Sequence, residues 1–229
     1  MLLDALESQD DVHEIVERDD GFIDTDRIRY FAPVRRWLPV ERRALRFVRG
    51  RVLDAGVGAG RVALELQRRG RDVVGIDVSP GAVEVARRRG VRDVRLLPLE
   101  RVDASLGHFG TVAMFGSNLG LLGGAAKGHR LLRRLAQVAD RIVASSIDPY
   151  RTDDALHLAY HQRNRGRGRM AGQLRLRVRH RDLVSPWFDY LIVSPAELEG
   201  LVVGTGWRVA WLVTSEGSAA YVAVLDRDS

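Results

Sequence analysis

Cysteine is absent from this chain of 229 residues. That absence excludes disulfides, thiolate zinc sites, cysteine-ligated iron–sulfur clusters and a cysteine nucleophile. Lysine is almost absent: of 36 basic residues Lys127 is the one lysine, and the others are arginine. A high-GC genome explains this skew as well as nucleic-acid binding does, so the net charge of +6 and the pI near 10.4 name no partner. Long apolar runs are missing too. The longest stretch without a formal charge, Ala104 to Ala126, holds six glycines with Ser117 and Asn118, which excludes a membrane helix. The opening MLLDALESQDD has neither a basic start nor an apolar core. No secretory signal is expected, and the cytoplasm is the expected location.

What is present resembles an ordinary soluble protein: 45% apolar and 29% charged residues, enough chain for one domain with its own core. Charge is unevenly spread. Residues 1–20 carry eight acids and one arginine, and residues 163–181 carry eight arginines and no acid, so the two segments are suited to pair within or between chains. No internal repeat interrupts the pattern. A loose apolar stripe (Leu2, Leu3, Leu6, Val12, Ile15, Val16) predicts a polar helical segment in the first fifty residues. Pro33 and Pro39 punctuate the aromatic stretch after Tyr30. From Arg51, strand-like runs (RVLDA, DVVGID, DVRLLPL, TVAMFGS, DRIVASSID) alternate with helical ones. Five such strands over 51–148 imply right-handed crossovers and a parallel sheet. Residues 149–193 break the rhythm: DDALHLAYHQRNR predicts a helix, and LRLRVRH and WFDYLIV predict an inserted antiparallel hairpin. A helix at PAELEGLVV and two closing strands follow.

The central motif is Asp54-Ala55-Gly56-Val57-Gly58-Ala59-Gly60-Arg61, placed after the first core strand and opening the first core helix. Glycines there permit positive φ and close approach of a ligand to the backbone. The dinucleotide fingerprint is G-x-G-x-x-G. Here an acid stands two residues before the first glycine, and Arg61 takes the place of the final one. A carboxylate at that point disfavours a pyrophosphate and suits an amine-bearing or cationic ligand. Asp77 ends the second strand, 23 residues after Asp54, where an acid can accept hydrogen bonds from ribose hydroxyls.

In these residues the chain resembles the class I S-adenosylmethionine-dependent methyltransferases, from about Arg51 to Asp148 and again in the last helix and two strands. The resemblance implies S-adenosylmethionine as cofactor, with Asp54, Ala55, Gly56, Gly58 and Gly60 around its methionine part. It implies Asp77 on the ribose hydroxyls and Val78 against the adenine. After the third strand, Leu99 and Glu100 are the matching candidates at the adenine edge, with Asp103 as a competitor for the acidic role. Gly116 and Ser117, in the FGSNLG segment after the fourth strand, are implied to touch the methionine moiety, although a helix cap accounts equally for Ser117 and Asn118. Tyr30 and Trp37 stand where the family carries a lid: either they line the pocket or they pack the lid.

The N/D-P-P-Y/F motif of enzymes acting on exocyclic base nitrogens is absent after the fourth strand, which reads GSNLG. Acceptor-side candidates are Tyr150, Asp153, His157, Tyr160 and His161. On a helix the last three share a face. His157 and Tyr160 are therefore the catalytic candidates, His157 as a base near neutral pH; surface histidines and a packed tyrosine are the plain alternative. His157 and His161 lack a third ligand, and no metal is expected. Arg175, Arg177 and Arg179 share one strand face. They form a solvated face, or they bind an acidic partner; nucleic acid is not the expected partner, and these three are where it would dock.

The expectation is thus an α/β, Rossmann-like fold with a seven-stranded, mostly parallel sheet and an antiparallel last strand. One methyltransferase domain spans 1–229: a helical lid (1–50), a cofactor core (51–148), an inserted β-hairpin cap (149–193) and a closing helix with two strands (194–229). The expected function is methyl transfer to a small-molecule acceptor, on O or N, in bacterial specialised metabolism, by a monomer or homodimer. The alternatives are methylation of RNA or a peptide, and cofactor binding without transfer.

Overall fold

The computed structural model of the chain describes residues 1–7, 13–27 and 30–228. In chain order these form α1 (Leu2–Glu7), β1 (His13–Arg18), β2 (Ile23–Arg27), α2 (Pro39–Ala44), β3 (Val52–Ala55), α3 (Arg61–Arg68), β4 (Val73–Asp77), α4 (Pro80–Arg88) and β5 (Asp93–Leu96). Then follow β6 (Thr111–Met114), α5 (Ala125–Leu135), β7 (Arg141–Ile147), α6 (Ala155–Gly166), β8 (Gln173–His180), β9 (Leu183–Val184), β10 (Phe188–Leu191), α7 (Pro195–Val202), β11 (Trp207–Val213) and β12 (Ala220–Arg227).

The main sheet has seven strands in the order β11-β12-β7-β6-β3-β4-β5. Strands β3 to β7 are parallel, and β12 runs antiparallel to both of its neighbours. The chain moves outward from β3 to β5, returns to β6 on the other side of β3, and so creates a switch point at the carboxyl ends of β3 and β6. Ligands of open α/β sheets bind in that crevice. The short runs VLDA and TVAM are buried at every position because helices cover both faces. One core lies around Leu53, Ile76, Phe109, Met114, Ile142 and Trp207. The opposite face packs Trp37, Val40, Leu66, Ala113 and Val143. The helices start where sequence places caps: Ser79 accepts from the Ala82 amide with Pro80 behind it, and Ser194 forms a capping box with Glu197.

Residues 1–50 are helical only in part, at α1, which carries Leu2, Leu3 and Leu6 of the stripe, and at α2. Residues 13–27 form the hairpin β1–β2, which joins the inserted hairpin in a second sheet of order β10-β8-β1-β2, with β9 beside β8. The stripe was misleading because Ile15 and Val16 are adjacent, which fits either period. What decides is the pairing: Val16 lies opposite Val178 and Glu17 opposite Arg177. Glu17 then binds Arg177 at 2.8 Å and Arg179 at 3.2 Å. The acidic and basic segments therefore pair within the chain. Val12, like residues 8–11, lies outside the described residues. Among the described residues no helix is long and apolar enough to cross a membrane.

Candidate functional site

The glycine loop sits at the switch point. Gly56, Gly58 and Gly60 all have positive φ (78°, 53° and 78°), a region open to glycine at little strain. A Cβ on Gly56 would lie 2.6 Å from Asn118 Nδ2, and one on Gly60 would lie 2.6 Å from Val91. The Asn118 amide donates at 2.9 Å to the carbonyls of Ala55 and Gly56, tying the loop after β3 to the segment after β6. Asp77, at the end of β4, accepts from the Gly58 amide and the Ser79 amide, each at 2.9 Å. Burial raises its pKa above the ordinary carboxylate value despite these amides. The neighbouring Val78 is 69% exposed, an apolar surface presented beside that acid.

Asp54 lies under the loop, 2% exposed, and its Oδ2 is buried without a hydrogen-bond partner. Burial pushes its pKa up to about 7; the Ala63 amide and Arg61 oppose that rise. An orphaned buried carboxylate oxygen needs an explanation. Asp54 is not among the residues that line the cavity beside the loop.

That cavity, about 440 Å³, is lined by the loop and by Trp37, Glu41, Arg61 and Ser117, among others. Glu41 was not legible as a site residue, although a charge on the buried face of α2 was the available signal. It is 2% exposed; its Oε1 accepts from the Gly116 amide (2.6 Å) and Ser145 (3.2 Å), and Arg61 reaches its Oε2 at 3.3 Å. The Arg61 guanidinium in turn lies 4.6 Å from the Trp37 ring centre. Ser117 itself has φ 63°, donates its amide to Ser145 Oγ at 2.7 Å, and accepts from Tyr190 at 2.6 Å through its carbonyl.

A second cavity, about 590 Å³, lies between the main sheet and the second one. Strand alternation builds its roof: Val16 and Arg18 of β1, Leu174, Leu176 and Val178 of β8, and Phe188 and Tyr190 of β10 face inward. The outward residues of β8 are Arg175, Arg177 and Arg179. Arg177 and Arg179 hold Glu17, and Arg175 stands 3.7 Å from Asp189. Four residues line both cavities: Glu14, Tyr30, Gly116 and Asn118. Tyr30 also packs 3.7 Å from the Cβ position of Gly58.

The predicted face of α6 is only partly delivered to the cavity. His157 and His161 line it, with Asp154 capping the helix through the Leu156 and His157 amides. Tyr160 does not. Its hydroxyl donates to Asp19 at 2.7 Å and accepts from the Arg175 amide at 3.2 Å, and Arg18 lies across its ring at 4.2 Å. It is a packing post, held by Asp19, the Arg175 amide and Arg18. His157 is placed on the wall, but its Nδ1 accepts from Arg18 Nη1 at 2.9 Å, since the guanidinium can only donate. Its proton is then on Nε2, and the base role expected for it conflicts with this geometry. Arg18 is 4% exposed and doubly bonded to Asp20 at 2.8 Å. Burial, with the charges of Arg165 and Arg18 nearby, holds His161 below the ordinary imidazole value. Glu100 pairs with Lys127 at 2.7 Å, and Leu99 is buried in the core. Among the described residues no set of three His, Asp or Glu converges as a metal site.

Comparison with known proteins agrees with this architecture. Residues 52–141 match a family model described as a methyltransferase domain. A solved S-adenosylmethionine-dependent methyltransferase from Bacteroides fragilis, in complex with S-adenosyl-L-homocysteine, is 26% identical over 100% of this chain and 93% of that one, with a TM-score of 0.82. Magnesium protoporphyrin IX methyltransferase from Synechocystis, with bound S-adenosylhomocysteine, shares the fold at 17% identity and a TM-score of 0.55, over 82% of this chain and 81% of that one. Magnesium-protoporphyrin O-methyltransferase from Rhodobacter capsulatus is 51% identical over 39 residues, and the match spans only 17% of either protein. Residues 52–141 thus carry a methyltransferase domain, within a fold shared with S-adenosylmethionine-dependent methyltransferases.

Proposed function

We propose that this enzyme methylates a small-molecule acceptor, on oxygen or nitrogen, in bacterial specialised metabolism. The observation that carries the reading is the second cavity, which has Val16, Leu174, Leu176, Val178 and Phe188 in its roof and shares four residues with the cavity beside the glycine loop. A pocket of that volume accommodates a metabolite, not a duplex or a folded protein. The arginines that would hold a polyanion are already engaged by Glu17 and Asp189.

In this reading Gly56, Gly58 and Gly60 form the cradle for the methionine part, and Asp54 takes its amino group. Asp77 holds the ribose hydroxyls with the lone pairs not used by Gly58 and Ser79. Val78 and the turn carrying Leu99 flank the adenine. Tyr30 closes over Gly58, and Gly116 and Ser117 bound the methionine side. When bound, S-adenosylmethionine supplies an electrophilic methyl group: the acceptor lone pair bonds to carbon as the carbon–sulfur bond breaks and its electron pair returns to sulfur. Positioning and exclusion of water carry most of such a rate. The second sheet does both here, and His157 Nε2–H orients the acceptor as a donor.

The test is a metabolite extract incubated with the protein and a methyl-labelled donor. Label on a small metabolite supports the reading. Label on RNA or protein overturns it, and binding without any label points to a cofactor-binding protein.

A further inference from the structure

We infer that Glu14 is the catalytic carboxylate at the crossing between the two cavities: it faces the transferring methyl and takes the proton that the acceptor sheds. The inference rests on the assignment of the two cavities given above. A methyl group passing from one to the other crosses where both are lined by the same residues, namely Glu14, Tyr30, Gly116 and Asn118. Any group that removes an acceptor proton during attack must be within hydrogen-bond reach of that point.

Three of the four are unsuited to the task. Gly116 offers backbone alone, and its amide is held by Glu41. The Asn118 side chain is an amide, spent on the Ala55 and Gly56 carbonyls. The Tyr30 phenol is buried beside a carboxylate, and both effects raise its pKa, so it remains a donor. Glu14 is the proton acceptor among them. Its aim follows from strand alternation, which puts Glu14 on the inner face of β1 with Val16 and Arg18. Tyr30 is its positioning residue: the phenol donates across the carboxylate, 3.2 Å from Oε1 and 3.1 Å from Oε2. His157 lines the acceptor cavity alone and has its Nδ1 committed to Arg18.

The step balances simply. The acceptor's lone pair forms the bond to carbon, its proton passes to a Glu14 oxygen, and Glu14 afterwards returns that proton to solvent. A second consequence needs no acceptor. S-adenosylmethionine carries a sulfonium charge and S-adenosylhomocysteine does not, so a carboxylate facing the sulfur favours the charged form and promotes release of the spent one.

Calorimetry on the full chain with each of the two compounds therefore tests the placement. Glu14→Gln is expected to weaken S-adenosylmethionine binding about tenfold, the scale of one charge pair at a partly wet site, with S-adenosylhomocysteine within about twofold. Tyr30→Phe should shift the same ratio by about threefold, the scale of one hydrogen bond. Parallel changes in both affinities, or no change, with the circular dichroism preserved, would overturn the inference. If Glu14→Gln fails to fold, Glu14→Asp must still narrow the preference. In the labelled extract Glu14→Gln should transfer methyl about a hundredfold more slowly, the usual scale for a general base; wild-type rates would refute the proton role. A wild-type protein that binds neither compound sinks the cofactor-cavity assignment instead, and one that binds both yet labels nothing sinks the small-molecule reading while calorimetry still decides Glu14.

Discussion

Replacing Asp54 by Asn isolates the charge penalty of the carboxylate buried under the glycine loop. The carboxylate is 2% exposed, with one oxygen unpartnered, and its pKa is pushed up to about 7 from an ordinary 3.8. Between those two values the folded protein holds a proton that the unfolded chain has released. The stability tied to this group is therefore complete below about pH 4 and is lost as pH rises through about 7. At about 1.4 kcal/mol per pH unit, the interval corresponds to roughly 4 kcal/mol. Roughly 2 to 3 kcal/mol of that falls between pH 5 and pH 8. For a chain of this length that is about 5–10 °C in melting temperature. Thermal unfolding at the two pH values should therefore show the wild type losing about 5–10 °C more than Asp54→Asn. The comparison is of slopes, because the Asn amide inherits an unpartnered position and shifts both melting points alike. Saturating S-adenosylhomocysteine, whose ammonium group would neutralise the carboxylate, should flatten the wild-type slope. Equal slopes for wild type and variant would refute the argument, since the burial would then impose no charge penalty.

Asp77→Ala should weaken S-adenosylmethionine by about 1–3 kcal/mol, the scale of lost hydrogen bonds to a charged group; unchanged affinity by calorimetry would remove Asp77 from the site. Gly120→Ala places a Cβ 2.2 Å from Tyr190 Cζ, in a ring already anchored to the Ser117 carbonyl. Its denaturation midpoint should fall by about 1–3 kcal/mol in stability, and a neutral result would mean that the 117–120 loop yields freely. Simultaneous replacement of Arg175, Arg177 and Arg179 should leave RNA retention in filter binding at physiological salt as negligible as in wild type. A tight, salt-sensitive complex abolished by the triple change would overturn the small-molecule reading.

Local pattern made the core legible. Continuous apolar runs of four or five residues, separated by capped helices, have few solutions other than a parallel sheet with covered faces. The acid before the glycines and Asp77 after the next strand could be located from spacing alone, because both positions lie within one β-α-β unit. His157 and His161 were also placed correctly on one helix face, since that requires only the helical period.

Other features depended on partners distant in the chain. HEIVER became a strand because Glu17 and Val16 found Arg177 and Val178, some 160 residues away; nothing local separates that outcome from a helix. Tyr160 is held off the cavity wall by Asp19, the Arg175 amide and Arg18, and Glu100 pairs with Lys127. Glu41 and Glu14 reached the site from segments that carry no motif. The sequence by itself determined the sheet, the cradle and the acid at its edge, because strand and helix periods and glycine's backbone freedom act over a few residues. The tertiary structure alone decided the second cavity and the direction of each polar side chain around it. Those depend on strands and charges meeting across the chain, where burial, pairing and the donor–acceptor rules of each group select one arrangement.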